Sequence, residues 1–267
     1  MDFLQTIGRE RLERVRQDER TISTVELRAQ AEAMGAREGS FAKALRRPAG
    51  GALRIIAEVK RQSPSAGMIR ESYDPVSIAA SYAEAGASAI SVLTEPSRFL
   101  GSIEDLARVR ERVTIPVLLK DFVVHERQIY EARVRGADAA LLIVAMLSPG
   151  QLRDYAAVMK HIQLEPLVEI LDERDLDHAL ALDAPVIGVN NRNLRTLDMR
   201  RGWAEGLIRE IPADRIRVGE SGYSKREQIE ELERAGADAA LVGESLLKDG
   251  APASALRRLL GREEIAP

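Results

Sequence analysis

A near-identical phrase recurs three times in this chain: Ala85-Gly86-Ala87-Ser88-Ala89, Arg135-Gly136-Ala137-Asp138-Ala139 and Ala235-Gly236-Ala237-Asp238-Ala239. Each copy closes a stretch with helical spacing and opens a short apolar run. A glycine just past a helix supplies the left-handed backbone that ends it, and small neighbours let helix and sheet approach closely. The glycines at 86, 136 and 236 lie 50 and then 100 residues apart. Read as two and four repeats, they imply a strand–helix unit of about 25 residues. Eight such units fill the chain after residue 52.

The alternation between repeats supports that count. Apolar runs occur at Leu53–Lys60, Ser88–Leu93, Ile115–Lys120, Asp138–Val144, Leu164–Ile170, Pro185–Asn190, Arg215–Glu220 and Asp238–Gly243. They are nearly continuous rather than alternating, as expected of parallel strands covered on both faces. Helical spacing follows at Pro75–Ala85, Ser102–Arg112, Glu126–Arg135, Pro149–Lys160, Glu173–Leu182, Arg200–Arg209, Lys225–Ala235 and Ala253–Leu260, with start signals at Asp74-Pro75, Ser148-Pro149 and Ser224. The predicted fold class is α/β, a (β/α)8 TIM barrel with an N-terminal helical extension. The 267 residues suit that barrel. An open doubly wound sheet is the alternative, but eight regular units favour closure. Residues 1–52, with helical spacing at Phe3–Arg16 and Val25–Met34, read as the extension packed on the barrel. Arg47-Pro48-Ala49-Gly50-Gly51 leads into residues 53–267, the catalytic barrel of what is a single domain overall.

Composition removes several chemistries. There is no cysteine, hence no disulfide, thiolate metal site or thiol nucleophile. The three histidines, His125, His161 and His178, have no metal-ligand spacing, so no metal is expected. A net charge of -3 gives no general attraction to nucleic acid or anionic membrane. No apolar stretch approaches the roughly 18 residues of a membrane span, and Met1 to Arg20 is too charged for a signal peptide. A cytoplasmic protein is expected.

Polar residues stand where strands should be apolar. All strand carboxyl ends of a barrel open onto one mouth. Here they carry Glu58 and Lys60, Lys120, Glu169, Asn190 and Glu220. Glu58 and Lys60, two apart, share a strand face. A lone lysine at a strand end usually meets solvent, but five polar ends out of eight should pair with one another or await a ligand. Strands seven and eight end in Glu220-Ser221-Gly222 and Gly243-Glu244-Ser245. Glycines there let backbone N–H groups approach an anion, and these two loops are the usual phosphate site of barrels. Ser63, after strand one, adds a candidate hydroxyl donor.

At these residues the chain resembles the indole-3-glycerol phosphate synthases. Ile56-Ala57-Glu58-Val59-Lys60-Arg61-Gln62-Ser63-Pro64-Ser65 matches their Glu-x-Lys-x-x-Ser-Pro-Ser signature. Leu119-Lys120-Asp121-Phe122, Leu167-Val168-Glu169, Asn190-Asn191-Arg192-Asn193-Leu194 and Glu220-Ser221-Gly222 follow in the family's order. The resemblance covers about residues 53–250. It implies conversion of 1-(2-carboxyphenylamino)-1-deoxyribulose 5-phosphate to indole-3-glycerol phosphate, with loss of carbon dioxide and water and without a cofactor. It implies Lys120 as general acid at the ketone oxygen, with the dehydration acid and base among Glu58, Lys60 and Glu169. We favour Lys60 as that acid, Glu58 as base and Glu169 as the group positioning Lys120. Asn190 and Glu220 complete the catalytic set, and Arg192 is expected near the substrate carboxylate. Phe99, Phe122, Leu141 and Leu194 match the apolar pocket for the aromatic ring. Ser63, Ser221, Gly222, Gly243 and Glu244 complete the substrate-binding set.

The chain departs from the family's pattern at three places. The loop Thr94-Glu95-Pro96-Ser97-Arg98-Phe99-Leu100 has Leu100 where the family pairs two phenylalanines, and Gly219 and Tyr223 flank Glu-Ser-Gly unusually. The extension lacks the aromatic that some relatives place over the substrate. The expected partner is a small anionic sugar phosphate, with no nucleic acid or membrane, for a monomer or weak homodimer. Two rival functions remain open at this level: a Schiff-base sugar-phosphate aldolase using Lys120 or Lys60, and a non-catalytic sugar-phosphate-binding barrel.

Overall fold

The repeats at 86, 136 and 236 end helices as expected, each glycine taking a positive φ of 94–100°. The computed structural model describes residues 2–35, 40–64, 67–69, 73–248 and 250–262. Strands β1 (Arg54–Val59), β2 (Ala89–Leu93), β3 (Val117–Lys120), β4 (Ala139–Ile143), β5 (Glu165–Ile170), β6 (Val186–Asn190), β7 (Ile216–Glu220) and β8 (Ala239–Val242) close into a barrel. Every pairing is parallel, and β1 bonds both β2 and β8. The open-sheet alternative is therefore excluded. Around the barrel run α4 (Pro75–Ala85), α5 (Ile103–Arg112), α6 (Glu126–Val134), α7 (Pro149–His161), α8 (Glu173–Ala181), α9 (Trp203–Ile208), α10 (Arg226–Ala235), α11 (Glu244–Lys248) and α12 (Pro252–Leu259). Among the described residues no helix is long and apolar enough to cross a membrane.

Helix starts follow local chemistry. Asp74 and Ser148 cap α4 and α7, each followed by proline at the first helical position. Ser224 is not the cap of α10. Lys225 holds that position, and the Gln228 side chain accepts from the N–H groups of both residues. α9 begins three residues later than its spacing suggested. Arg200 is instead bonded back to Asn191, and Gly202 at φ 80° turns the chain. A two-residue hairpin, Gln62–Ser63 with Gly67–Met68, follows β1. Strands that short leave no periodicity to read.

Alternation along each strand divides the core in two. In β1, Ile55, Ala57 and Val59 pack outward beneath the helices. Ile56 points inward with Leu118, Leu141, Leu167, Val218 and Leu241. The extension supplies further helices, α1 (Phe3–Asp18), α2 (Thr24–Ala33) and α3 (Phe41–Leu45). Phe41 and Leu45 of α3 join the inner cluster, and the Glu165 carboxylate at the start of β5 accepts from the N–H groups of Phe41 and Ala42 at 2.8 and 2.9 Å. That contact fixes α3 at the amino end of the barrel.

α1 lies at the opposite end. Leu4 and Ile7 pack with Phe122, Ile143 and Leu194, and Phe3 N–H donates to the Arg195 carbonyl. Arg11 forms a two-pronged ion pair with Asp121, both contacts 2.9 Å, beside Lys120 at the end of β3. Glu10 pairs with Arg98 of the loop after β2. Burial raises the Asp121 carboxyl, and Arg11 opposes that rise. Removing one member of a buried pair leaves the other uncompensated. Arg11→Ala should therefore cost about 3–5 kcal/mol at neutral pH, read from urea unfolding midpoints.

Candidate active site

The alternation that sorts the core also aims the chemistry. Ile56, Leu118, Leu167 and Val218 face the barrel interior, so Glu58, Lys60, Lys120, Glu169 and Glu220 share that face further along the same strands. Asn190 follows Val186 in the same way on β6. The set converges: Lys120 Nζ lies 3.0 Å from Glu169 Oε2 and 3.3 Å from Glu220 Oε2. Asn190 Nδ2 donates to Glu169 Oε1 at 3.1 Å, and Lys60 Nζ lies 2.6 Å from Glu58 Oε1. Residues from five strands thus meet in one charged array, with Glu169 and Glu220 at most 1% exposed.

Electrostatics inside this array follow from burial and proximity. Burial pulls the Lys120 ammonium down, but the charges of Glu169, Glu220 and Glu58 outweigh it and hold it well above the ordinary lysine value. Lys120 is therefore protonated. Burial pushes the Glu220 carboxyl up to about 8; Lys120 opposes the shift and Glu169 reinforces it. A carboxyl titrating there can hold a proton at neutral pH and exchange it. Its Oε1 is buried without a hydrogen-bond partner among the described residues.

Two glycines make room for these carboxylates. A Cβ on Gly188 of β6 would collide with Glu220, and one on Gly243 would collide with Glu58. Gly243 was expected to serve the anion site and here also clears space. Gly188 was missed, because a glycine inside an apolar run reads only as a weak strand position.

Above the array opens a cavity of about 370 Å³. Glu58, Lys60, Lys120, Asn190 and Glu220 line it, as do Ser63, Phe99, Phe122, Leu141, Arg192, Leu194, Ser221, Gly222, Gly243 and Glu244. Glu169 is absent from the wall: it touches Lys120 and Asn190 from beneath. Ser65 lies outside the described residues.

One side of the cavity is apolar. Phe99 and Phe122 rings are 6.1 Å apart, and Phe3 meets Phe122 edge-on at 6.0 Å. This corrects the reading of the extension as lacking an aromatic at the site: Phe3 supplies one, two residues from the chain start, where helical spacing alone gave it no direction. Leu100 is 38% exposed and outside the wall. Phe99 is held by Glu95, whose buried carboxylate accepts from the backbone N–H groups of Ser97, Arg98 and Phe99. Sequence reading gave Glu95 no role.

The other side is a polar backbone surface. Ser221 and Gly222 take successive positive φ angles of 67 and 87°, a turn that presents N–H groups to an anion. Gly243, Glu244 and Ser245 open α11 on the same wall. Glu244, an unlikely neighbour for an anion, is matched by Lys248 at 2.6 Å. Arg192 is steadied by a bond from its side chain to the Leu197 carbonyl and from its N–H to Asn190 Oδ1. Trp203 stands away from the cavity under Arg200.

Comparison with known proteins covers most of the chain. The family model for indole-3-glycerol phosphate synthase matches residues 4–259. An indole-3-glycerol phosphate synthase of Sulfurimonas denitrificans is 48% identical over 206 residues, 77% of this chain and 78% of that protein. That of Acidithiobacillus ferrooxidans is 43% identical over 259 residues, 97% of this chain and 98% of its own. The solved N-acetylmannosamine-6-phosphate 2-epimerase of Clostridium perfringens superposes with a TM-score of 0.61 at 12% identity, covering 82% of this chain and 95% of that one. At that identity the likeness shows the fold alone.

Two outcomes follow from the array. Gly188→Ala should displace Glu220 and lower turnover by roughly 100-fold, with a stability loss of about 1–3 kcal/mol; steady-state kinetics and urea unfolding measure both. The folded chain holds a Glu220 proton that the unfolded chain releases near 4.5. That contribution to stability is full below pH 4.5 and is lost as pH rises through about 8. Glu220→Gln should flatten the decline across this window, seen in unfolding midpoints measured at several pH values.

Proposed function

Since the chain belongs to the indole-3-glycerol phosphate synthase family, we propose that this cavity closes the indole ring, with Lys120 as the first acid. The protein is a carboxy-lyase of tryptophan biosynthesis, and its substrate carries a phosphate. The observation that carries the residue assignments is the position of Lys120. Its ammonium sits between two carboxylates at the floor of a cavity with an aromatic wall on one side and a backbone cradle on the other.

The substrate, 1-(2-carboxyphenylamino)-1-deoxyribulose 5-phosphate, fits that division. Its aromatic ring lies against Phe99, Phe122, Leu141 and Leu194. Its phosphate lies against Ser221, Gly222 and Gly243, with Ser63 and Glu244 beside it. Arg192 takes the ring carboxylate, for which a planar guanidinium is suited. Holding both ends brings the ring carbon to the ketone.

Attack of that carbon on the ketone builds negative charge on oxygen, and Lys120 relieves it by giving up a proton. Glu169 and Asn190 hold the lysine in place, and Glu220, which retains a proton near neutrality, can resupply it. Loss of carbon dioxide restores aromaticity to the six-membered ring. The new hydroxyl then leaves as water, protonated by Lys60, while Glu58 removes the proton that completes the indole. No cofactor enters this scheme.

The same electrostatics weigh against the aldolase. A Schiff base needs a neutral lysine, and three carboxylates keep Lys120 charged. A purely binding barrel has no use for so costly an array of buried ions. Residues 1–52 are read as part of the same domain, since α1 and α3 seal opposite ends of the barrel. The protein is assigned to the cytoplasm as a monomer or weak homodimer.

Incubating the purified protein with the carboxyphenylamino substrate should give rising indole fluorescence. Lys120→Ala should lower turnover by roughly 100-fold or more, while inorganic phosphate still binds as it does to the unaltered protein. Retained turnover in that variant would remove Lys120 from the mechanism.

A further inference from the structure

Five cations line the cavity: Lys60, Lys120, Arg192, Arg201 and Lys248. Three are already matched. Lys60 has Glu58 at 2.6 Å, Lys120 has Glu169 and Glu220, and Lys248 has Glu244 at 2.6 Å. Arg192 and Arg201 form no close ion pair among the described residues, although the charge of Arg192 reaches the Glu244 carboxylate. A ligand with a carboxylate at one end and a phosphate at the other presents two anions, and the wall carries two guanidiniums without a close ion pair among the described residues, Arg192 also donating to the Leu197 carbonyl. Arg192 is taken up by the carboxylate end. Arg201 is left.

The local backbone explains why Arg201 reaches the cavity. Beyond β6 the chain doubles back through an antiparallel bridge between Arg192 and Met199. Met199 lies against the Ser221–Gly222 turn, its Sδ 3.3 Å from where a Cβ on Gly222 would stand. Arg200 is spent on anchoring. Its N–H donates to the Asn191 carbonyl at 2.7 Å, its Nη2 donates to the Leu171 carbonyl at 2.9 Å, and its guanidinium stacks on Trp203 at 4.4 Å. Gly202 then turns the chain into α9. Arg201 is thus fixed by its neighbours at the cavity wall beside the turn, with its own side chain exposed and without a partner among the described residues.

We propose that Arg201 is a substrate-binding residue that closes on the phosphate from the β6 side, facing the cradle built by the loops after β7 and β8. The cradle offers backbone N–H groups but also carries Glu244, whose charge Lys248 already absorbs. The charges of Lys60 and Arg192 also reach Glu244, but Lys60 is paired with Glu58 and Arg192 is assigned to the carboxylate end, which leaves Arg201 as the cation a dianion there can draw in. A planar guanidinium can grip two phosphate oxygens at once. The contact sets affinity for the phosphorylated substrate and takes no part in proton transfer.

The inference rests on the phosphate placement proposed above, and the test separates the two. Arg201→Gln and Arg201→Lys are compared with the unaltered protein, using inorganic phosphate as a calorimetric ligand and the carboxyphenylamino substrate for kinetics. In the Gln variant both the phosphate Kd and the substrate KM should rise about tenfold, with kcat and the unfolding midpoint retained. The Lys variant should fall between, keeping charge but losing the two-pronged grip. Phosphate binding should weaken with added salt less steeply in the Gln variant. Unchanged phosphate Kd in the Gln variant overturns the proposal, whether or not KM moves. If the unaltered protein binds phosphate but forms no indole product, the functional reading fails, and the phosphate Kd of the Gln variant still decides Arg201.

Discussion

Lys120 can remain an ammonium inside the barrel because two carboxylates reach it from other strands. Desolvating a lone lysine this deep would cost several kcal/mol and drive it neutral. Glu169 arrives from β5 and Glu220 from β7, and both lie within 3.3 Å of its nitrogen. Those carboxylates would be equally costly alone. The array is stable only as a whole, and only a closed barrel brings β3, β5 and β7 within reach of one another. Much of the remaining structure can be read as maintenance of that geometry: Gly188 and Gly243 clear space, Asn190 orients Glu169, and α3 closes the amino end.

The same array divides its members by protonation. Lys120 is held charged and Glu220 is pushed toward neutrality by burial beside Glu169. Both groups are raised above their ordinary values, so each can hold a proton near neutrality, one as the acid and the other as its proton reserve. The cavity above separates the rest of the work, with aromatic contacts from Phe3, Phe99 and Phe122 on one wall and anion contacts on the other. α1 couples those walls to the rim. It brings Phe3 to the ring pocket and ties Asp121 and Arg98, neighbours of Lys120 and Phe99, through Arg11 and Glu10.

Much of this was legible in the chain. The Gly-Ala-x-Ala repeats and apolar runs located every barrel strand within one or two residues, because helix ends and buried strands impose local patterns. Polar residues closing apolar runs marked the array for the same reason: a charge at the end of a greasy strand conflicts with its surroundings unless something answers it. Phe3, Gly188 and the Arg11–Asp121 pair carried no such local conflict. Phe3 sits in an ordinary amphipathic helix, and Gly188 in an ordinary strand. Their roles exist only relative to residues more than a hundred positions away or to a side chain folded over them.

The sequence by itself determined the repeat, the strand faces and the kinds of side chain delivered to the mouth, since these depend on spacing along one chain. Closure decided which of those side chains meet. It set Lys120 between Glu169 and Glu220 rather than against Glu58, placed Glu169 beneath the cavity instead of in its wall, and left Arg201 at its edge without a partner among the described residues. Distances between strands are fixed by barrel registration and packing, which no single stretch of residues encodes.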